Sequence, residues 1–304
     1  MMKSNSIDTT YCYVEDATNN SNWGEIYRTA EPKTYADPDA VSARLYQDLY
    51  TIWSRRADKQ GFPKFKFIPD GKYHIKETTL DLFGATGTRY TSDFIGVNRK
   101  LANIAGISDS EIVEYLEKQR TIGGHMLFPV GAAASINQAR GCNLLDRFDF
   151  TLAELREYFI HISLNDGSYA AKYSKQLGKS FELYNEWLKR FCKEGDSGID
   201  NFKRFIDYWL LGMFVSQDVE CKVISLVSSD LENGKEVYIE SDCQEPYFPG
   251  LEKYLRRVNL RGITNVCSRM HQTERNAVRA VSLMYIKNTN FLIDKRNDMI
   301  EQDL

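Results

Sequence analysis

Two adjacent glycines, Gly123-Gly124, stand directly before a short apolar run that stops at a proline, and this arrangement constrains the chain more than any other feature. A glycine pair is free to take positive φ and lets a second backbone or a ligand approach closely. The run Met126-Leu127-Phe128 reads as a strand, and Pro129 ends it because proline cannot donate to a ladder. Small residues follow, Gly131-Ala132-Ala133-Ala134, and then the polar cluster Asn137-Gln138-Ala139-Arg140-Gly141. The stretch closes on Asp146-Arg147-Phe148-Asp149. It therefore offers donors and acceptors of both signs beside residues with almost no side chain. Such a module either bonds its polar groups internally as buried structure or lines a cleft.

The segments GGHMLFP, SINQARG and DRFDFTLAELREYF resemble the signature of a bacterial domain-of-unknown-function family. That signature has TIGG and an apolar run ending in FP, then INQARG, then DRFDLTLE. The likeness also touches Asp37-Pro38, residues 46–53, Ser92-Asp93 and Arg296-Asn297, so it spans most of the chain. It implies a shared fold and assigns no activity. The chain departs from the pattern after Trp53-Ser54, where Arg55-Arg56 replaces a proline-bearing turn, and His125 is not a fixed part of it.

With 304 residues, 42% of them hydrophobic and 27% charged, the chain has a globular composition, enough for one large domain or two small ones. The expected architecture is α+β: a small N-terminal antiparallel sheet and a larger, mainly helical body in a single domain. The N-terminal α+β part takes about residues 1–105, and the central strand–loop module and helical part take the rest. The module is expected where the two parts meet, a usual place for a ligand cleft.

In chain order, residues 1–36 read as an arm that lays rings such as Tyr11 and Tyr13 on the body. Asp37-Pro38 signals a helix start, and Leu45, Leu49 and Ile52-Trp53 give that helix its buried face. Alternation in Lys64-Phe65-Lys66-Phe67-Ile68, the turn at Pro69-Asp70-Gly71, and runs at residues 73–75, 80–83 and 90–97 predict strands. Ser108…Glu111 and Thr151…Glu154 have capping-box spacing, the second stapled by Phe150 and Leu155. That places Asp146, Arg147 and Asp149 at a helix N-terminus, where an acid suits the dipole. Phe202, Phe205, Ile206, Trp209 and Leu210 form a central apolar stripe, and Asn233-Gly234 suggests a hairpin. Residues 251–304 read as helix split near Gly262. They carry ten Lys and Arg against six Asp and Glu, about +4.

The net charge of −3 argues against a protein that coats nucleic acid by bulk electrostatics. Six scattered cysteines without a CxxC pair read as reduced thiols of a cytoplasmic protein. No run approaches the roughly 18–20 apolar residues that span a bilayer, so no membrane partner is expected. Four spaced histidines give no zinc signature, and no phosphate-loop motif is present, so no metal or cofactor is expected. Cys267 and His271 supply two ligands at most.

Two functional readings remain. A ligand- or partner-binding protein would use Asn137, Gln138, Arg140, Asp146 and Arg147 around a polar cleft. Arg140 suits the phosphate of a nucleotide or sugar phosphate, or of RNA. Arg269, Arg275 and Arg279 offer a second phosphate-contacting ridge, since Arg presents a planar fork to phosphate. The rival is a phosphate-handling enzyme. Arg120 and His125 have the R-x-x-x-x-H spacing of helical HEPN-type ribonucleases, in which His moves a proton and Arg stabilises charge on phosphorus without a metal. Gly123-Gly124 inside the motif departs from the helix those enzymes use.

Overall fold

The computed structural model describes residues 7–13, 15–18, 42–62, 65–68, 74–77, 81–82, 85–86, 89–94, 115, 117–129, 148–163, 185–239 and 271–304. Helix dominates these residues, and the chain divides into two compact units. One comprises Met1–Phe94, Asp109–Val130 and Ile293–Leu304; the other comprises Ile95–Ser108 and Gly131–Leu292.

In the first unit a short helix, α1 (Glu15–Thr18), precedes α2 (Ala43–Gln60). Ser42 caps α2, its hydroxyl accepting from the Leu45 amide at 2.9 Å; the Asp37-Pro38 signal lies outside the described residues. Gly61 ends it in the left-handed region at φ 72°, its amide reaching the Ala57 carbonyl. Leu45, Leu49, Ile52 and Trp53 recur at helical spacing and are buried, as the apolar periodicity predicts, and Arg56 and Ala57 are buried beyond them.

Strands β1 (Phe65–Ile68) and β2 (His74–Glu77) pair antiparallel, with Phe65 opposite Glu77 and Ile68 opposite His74. A short pair, β3 (Asp81–Leu82) and β4 (Ala85–Thr86), stands apart. β5 (Arg89–Phe94) joins β2, and β6 (His125–Pro129) joins β5 with Tyr90 opposite Pro129 and Phe94 opposite His125. The order is β1-β2-β5-β6. Pro129, which cannot donate to a ladder, is the last residue of β6. The strand of the central module is thus a strand of the N-terminal sheet, an attachment its local sequence does not announce.

In the second unit α3 (Phe148–Ser163) packs against α4 (Gly198–Tyr208). A ring cluster fills the space: Phe159, Trp187, Phe191, Phe202, Phe205 and Trp209, with Phe191 and Phe205 centroids 5.0 Å apart. Edge-to-face geometry adds to the area these rings bury. Ser197 and Asp200 form a reciprocal capping box at the start of α4, and Gly195 turns before it at φ 86°. α3 starts at Phe148, so Thr151 lies inside the helix and not at its cap. The Phe148 amide finds the Tyr285 hydroxyl at 3.4 Å and the Phe150 amide the Asp149 carboxylate at 3.0 Å, which moves the start upstream. The expected hairpin around Asn233-Gly234 is a tight turn with isolated bridges, Ile224 to Tyr238 and Asp230 to Lys235. Leu231–Asn233 form one 3₁₀ turn, closed by Gly234 at φ 70°.

The last element, α5 (Gln272–Asp303), runs unbroken and belongs to the second unit up to residue 292 and to the first from Ile293. The expected split at Gly262 lies outside the described residues, as does the Ser108…Glu111 capping box. Among the described residues no helix is long and apolar enough to cross a membrane.

Candidate functional site

The residues around Gly123-Gly124 are tied by a buried polar network to the end of α5. Residues 117–119 are helical, and the chain then turns tightly, the Thr121 amide bonding the Lys118 carbonyl at 3.0 Å and the Gly124 amide the Thr121 carbonyl at 3.0 Å. Asn297 reaches into this turn with both ends of its amide. Its oxygen accepts from the Gly123 amide at 2.7 Å, and its nitrogen donates to the Thr121 hydroxyl at 3.0 Å. Arg296, fully buried, donates to the Gly123 carbonyl at 2.8 Å and the His125 carbonyl at 2.6 Å. Its guanidinium also stands over the Trp53 ring, 5.8 Å from the centroid. Lys118 and Asp294 pair at 2.6 Å on the same two segments.

This geometry explains the glycines. Neither is in the positive-φ region, contrary to the freedom their pairing suggests. Each is needed for lack of a side chain. A Cβ on Gly123 would stand 2.4 Å from Asn297 Oδ1 and 2.8 Å from the Ile293 carbonyl oxygen. A Cβ on Gly124 would stand 2.0 Å from the Gln119 carbonyl oxygen.

Arg120 and His125 are both buried, His125 completely. His125 Nδ1 lies 2.8 Å from the Thr121 carbonyl oxygen. A carbonyl only accepts, so Nδ1 carries the proton and the ring is the Nδ1–H tautomer. Burial pushes the imidazole pKa down to about 3, the Thr121 bond opposing this and the nearby Arg120 and Arg296 charges adding to it. A sealed, neutral ring does not exchange protons with a substrate at neutral pH. Neither side chain faces solvent. Arg296 is itself held low, to about 9, by burial and then by the charge of Arg56. Arg56 has its own counter-ion, Asp303, at 2.9 Å.

A second network stands in the other unit. Asp149 is fully buried and accepts from the Leu226 amide at 2.9 Å. Asn288 accepts from the Leu231 amide at 3.1 Å and donates to the Leu226 and Ser229 carbonyls at 2.9 and 2.8 Å. Asp149 therefore has the structural place expected of an acid at this helix start.

Asn137, Gln138, Arg140, Asp146 and Arg147 lie outside the described residues, as do Arg269 and Cys267. Arg275 is exposed and Arg279 half-buried, one turn apart on α5. Among the described residues no group of three His, Cys, Asp or Glu could hold a metal, and Cys12, Cys192 and Cys221 are free thiols.

A protein-family profile described as a family of unknown function, DUF6994, matches residues 7–300. The chain belongs to that family. No curated protein and no solved structure matches it. Membership in DUF6994 agrees with the resemblance drawn from the central motifs and, like it, carries no activity. What sequence reasoning missed in this DUF6994 protein is the role of Arg296 and Asn297. The available signal was their appearance, far along the chain, in the same resemblance as the glycine turn.

Proposed function

We propose that this protein binds a phosphate-bearing ligand in the cytoplasm without acting on it chemically. Asn137, Gln138, Arg140, Asp146 and Arg147 would make the contacts around a polar cleft. One observation carries the reading: residues 120–127 are buried framework, their backbone bonded by Arg296 and Asn297 and their histidine neutral. The polar cluster of residues 137–147 is then bracketed in sequence by two anchored ends, Leu127 and Phe148, both buried. Arg140 is the natural phosphate contact, because a guanidinium offers paired donors to phosphate oxygens. Arg275 and Arg279, with Arg269, would be a secondary contact for a longer anion such as RNA.

In the same reading the chain is a single α+β domain, its sheet completed by β6. The support is topological: the chain passes between the two units after residues 94, 108, 130 and 292, so neither unit is a continuous stretch.

The test is calorimetric titration of the full chain with a panel of nucleoside phosphates, sugar phosphates and a short RNA. Arg140→Ala should weaken binding at least tenfold while leaving the melting temperature within about two degrees. Arg275→Ala with Arg279→Ala should affect RNA alone. Failure of the wild type to bind any of the panel, or an unchanged affinity in Arg140→Ala, would remove the reading.

A further inference from the structure

We propose that residues 7–13 form a releasable cover over Arg120 and His125, with Tyr13 as the part that closes it. This goes beyond the binding reading and does not depend on it, since that reading concerns residues 137–147.

Tyr13 meets both members of the pair. Its amide donates to the Arg120 carbonyl at 3.1 Å. Its ring stands edge-on to the His125 ring, centroids 6.1 Å apart at 83°, and is fully buried. The two residues with the greatest chemical capacity in the turn thus share one lid residue, and it comes from more than a hundred positions earlier in the chain.

The polar bonds around the pair fall into two tiers of different character. The inner tier is made by Arg296 and Asn297 to Thr121, Gly123 and His125, largely on backbone groups, and uses no atom of residues 7–13. The outer tier attaches residues 7–13 by the one backbone bond from the Tyr13 amide to Arg120 and otherwise through side chains at part-buried or exposed positions. The Tyr13 hydroxyl donates to Asp48 at 2.7 Å, and the Thr9 hydroxyl donates to Glu301. The Tyr11 ring lies under the Arg44 guanidinium at 3.6 Å, and the Tyr11 hydroxyl donates to Asp16 at 2.5 Å. Losing the outer tier leaves the inner one complete, so the turn keeps its shape when the cover lifts.

The cover is also built to move as a piece. Asp8 accepts from the Thr10 amide at 3.0 Å and the Thr10 hydroxyl at 2.7 Å, and the Tyr11 amide bonds the Asp8 carbonyl at 3.2 Å. These bonds lie within the segment and survive its release. Tyr13 is buried and holds one backbone bond, but the other fastenings of the segment are side-chain bonds at part-buried or exposed positions, which open more readily than the several buried backbone clamps of the inner tier. The geometry therefore describes a lid over a fixed floor, and what lies beneath is an imidazole beside a guanidinium.

The experiment measures carbethoxylation of individual histidines by diethyl pyrocarbonate at pH 7 on the full chain, read by peptide mass spectrometry. His271 is exposed and serves as the internal reference. In the wild type His125 should react at least a hundredfold more slowly than His271. Tyr13→Ala should accelerate His125 at least tenfold and leave His271 unchanged. The double variant Thr9→Val, Asp48→Ala keeps the ring but cuts two fastenings, and it too should accelerate His125. Should Tyr13→Ala fail to fold, this double variant decides alone. Leu49→Ala opens a core cavity in the same unit with residues 7–13 still attached, and it should accelerate His125 far less. Wild-type protection in both cover variants, or equal acceleration in Leu49→Ala, would overturn the proposal.

Discussion

Arg296 commits a full charge to the interior to satisfy two carbonyls, at Gly123 and His125. Arg296→Ala should lower stability by roughly 3–5 kcal/mol, because both acceptors stay buried without their donor. A drop in the urea midpoint at constant slope would report it. The glycines give a graded series. Gly124→Ala meets backbone and should be the most damaging. Gly123→Ala meets an amide that also holds its own N–H and comes next. Gly61→Ala has open space but positive φ, and should cost about 1 kcal/mol. Any other order in denaturant melts would contradict the close-approach account. His125 adds a pH signature. Its folded pKa of about 3 lies below its ordinary 6.5, so the unfolded chain takes up a proton that the fold refuses. Stability from this group is complete above pH 6.5 and falls as pH drops toward 3, by at most about 1.4 kcal/mol per unit. In His125→Asn, which keeps a donor for Thr121, that part of the acid loss should vanish. A wild-type-minus-variant difference that stays level across the window would mean the ring is not sealed.

At the scale of elements, local signals were legible where the partner is near in sequence. The strand alternation at residues 64–68, the buried face of α2 and the apolar stripe of α4 all follow from spacing alone. They failed where the partner is remote. Thr151 has the residues of a cap, yet Asp149 and Tyr285 satisfy the first amides of α3 and carry its start back to Phe148. The glycine pair suggests unusual φ, but the real constraint on Gly123, the approach of Asn297, cannot be read from its neighbours. The same rule separates two predictions. Ser197→Ala removes a local cap and should cost about 1 kcal/mol. Asn288→Ala removes three bonds to a turn 57–62 positions away and should cost about 2–4 kcal/mol. Hydrogen exchange should then show residues 225–231 opening in the Asn288 variant and protected in the Ser197 variant.

For the whole molecule, neither unit is contiguous, and α5 carries the chain across the last boundary without a break. That connectivity predicts one cooperative transition. Amides of α2 and of α4, which belong to different units, should lose exchange protection at the same urea concentration. Separate midpoints would mean two domains that fold apart. The expected boundary between the two parts at about residue 105 rests on the changeover from strand to helix patterning, which is a local signal. The return of Ile293–Leu304 to the first unit was not legible, since no pattern in a terminal helix names the segment it serves.

The distance between the glycine turn and its clamp, 173 positions from Gly123 to Arg296, also has a consequence in time. At roughly 5–20 residues per second, a ribosome makes the turn about nine to thirty-five seconds before it makes the guanidinium that will hold it. Throughout that interval the nascent turn lacks its clamp, and a truncated translation product would never acquire one.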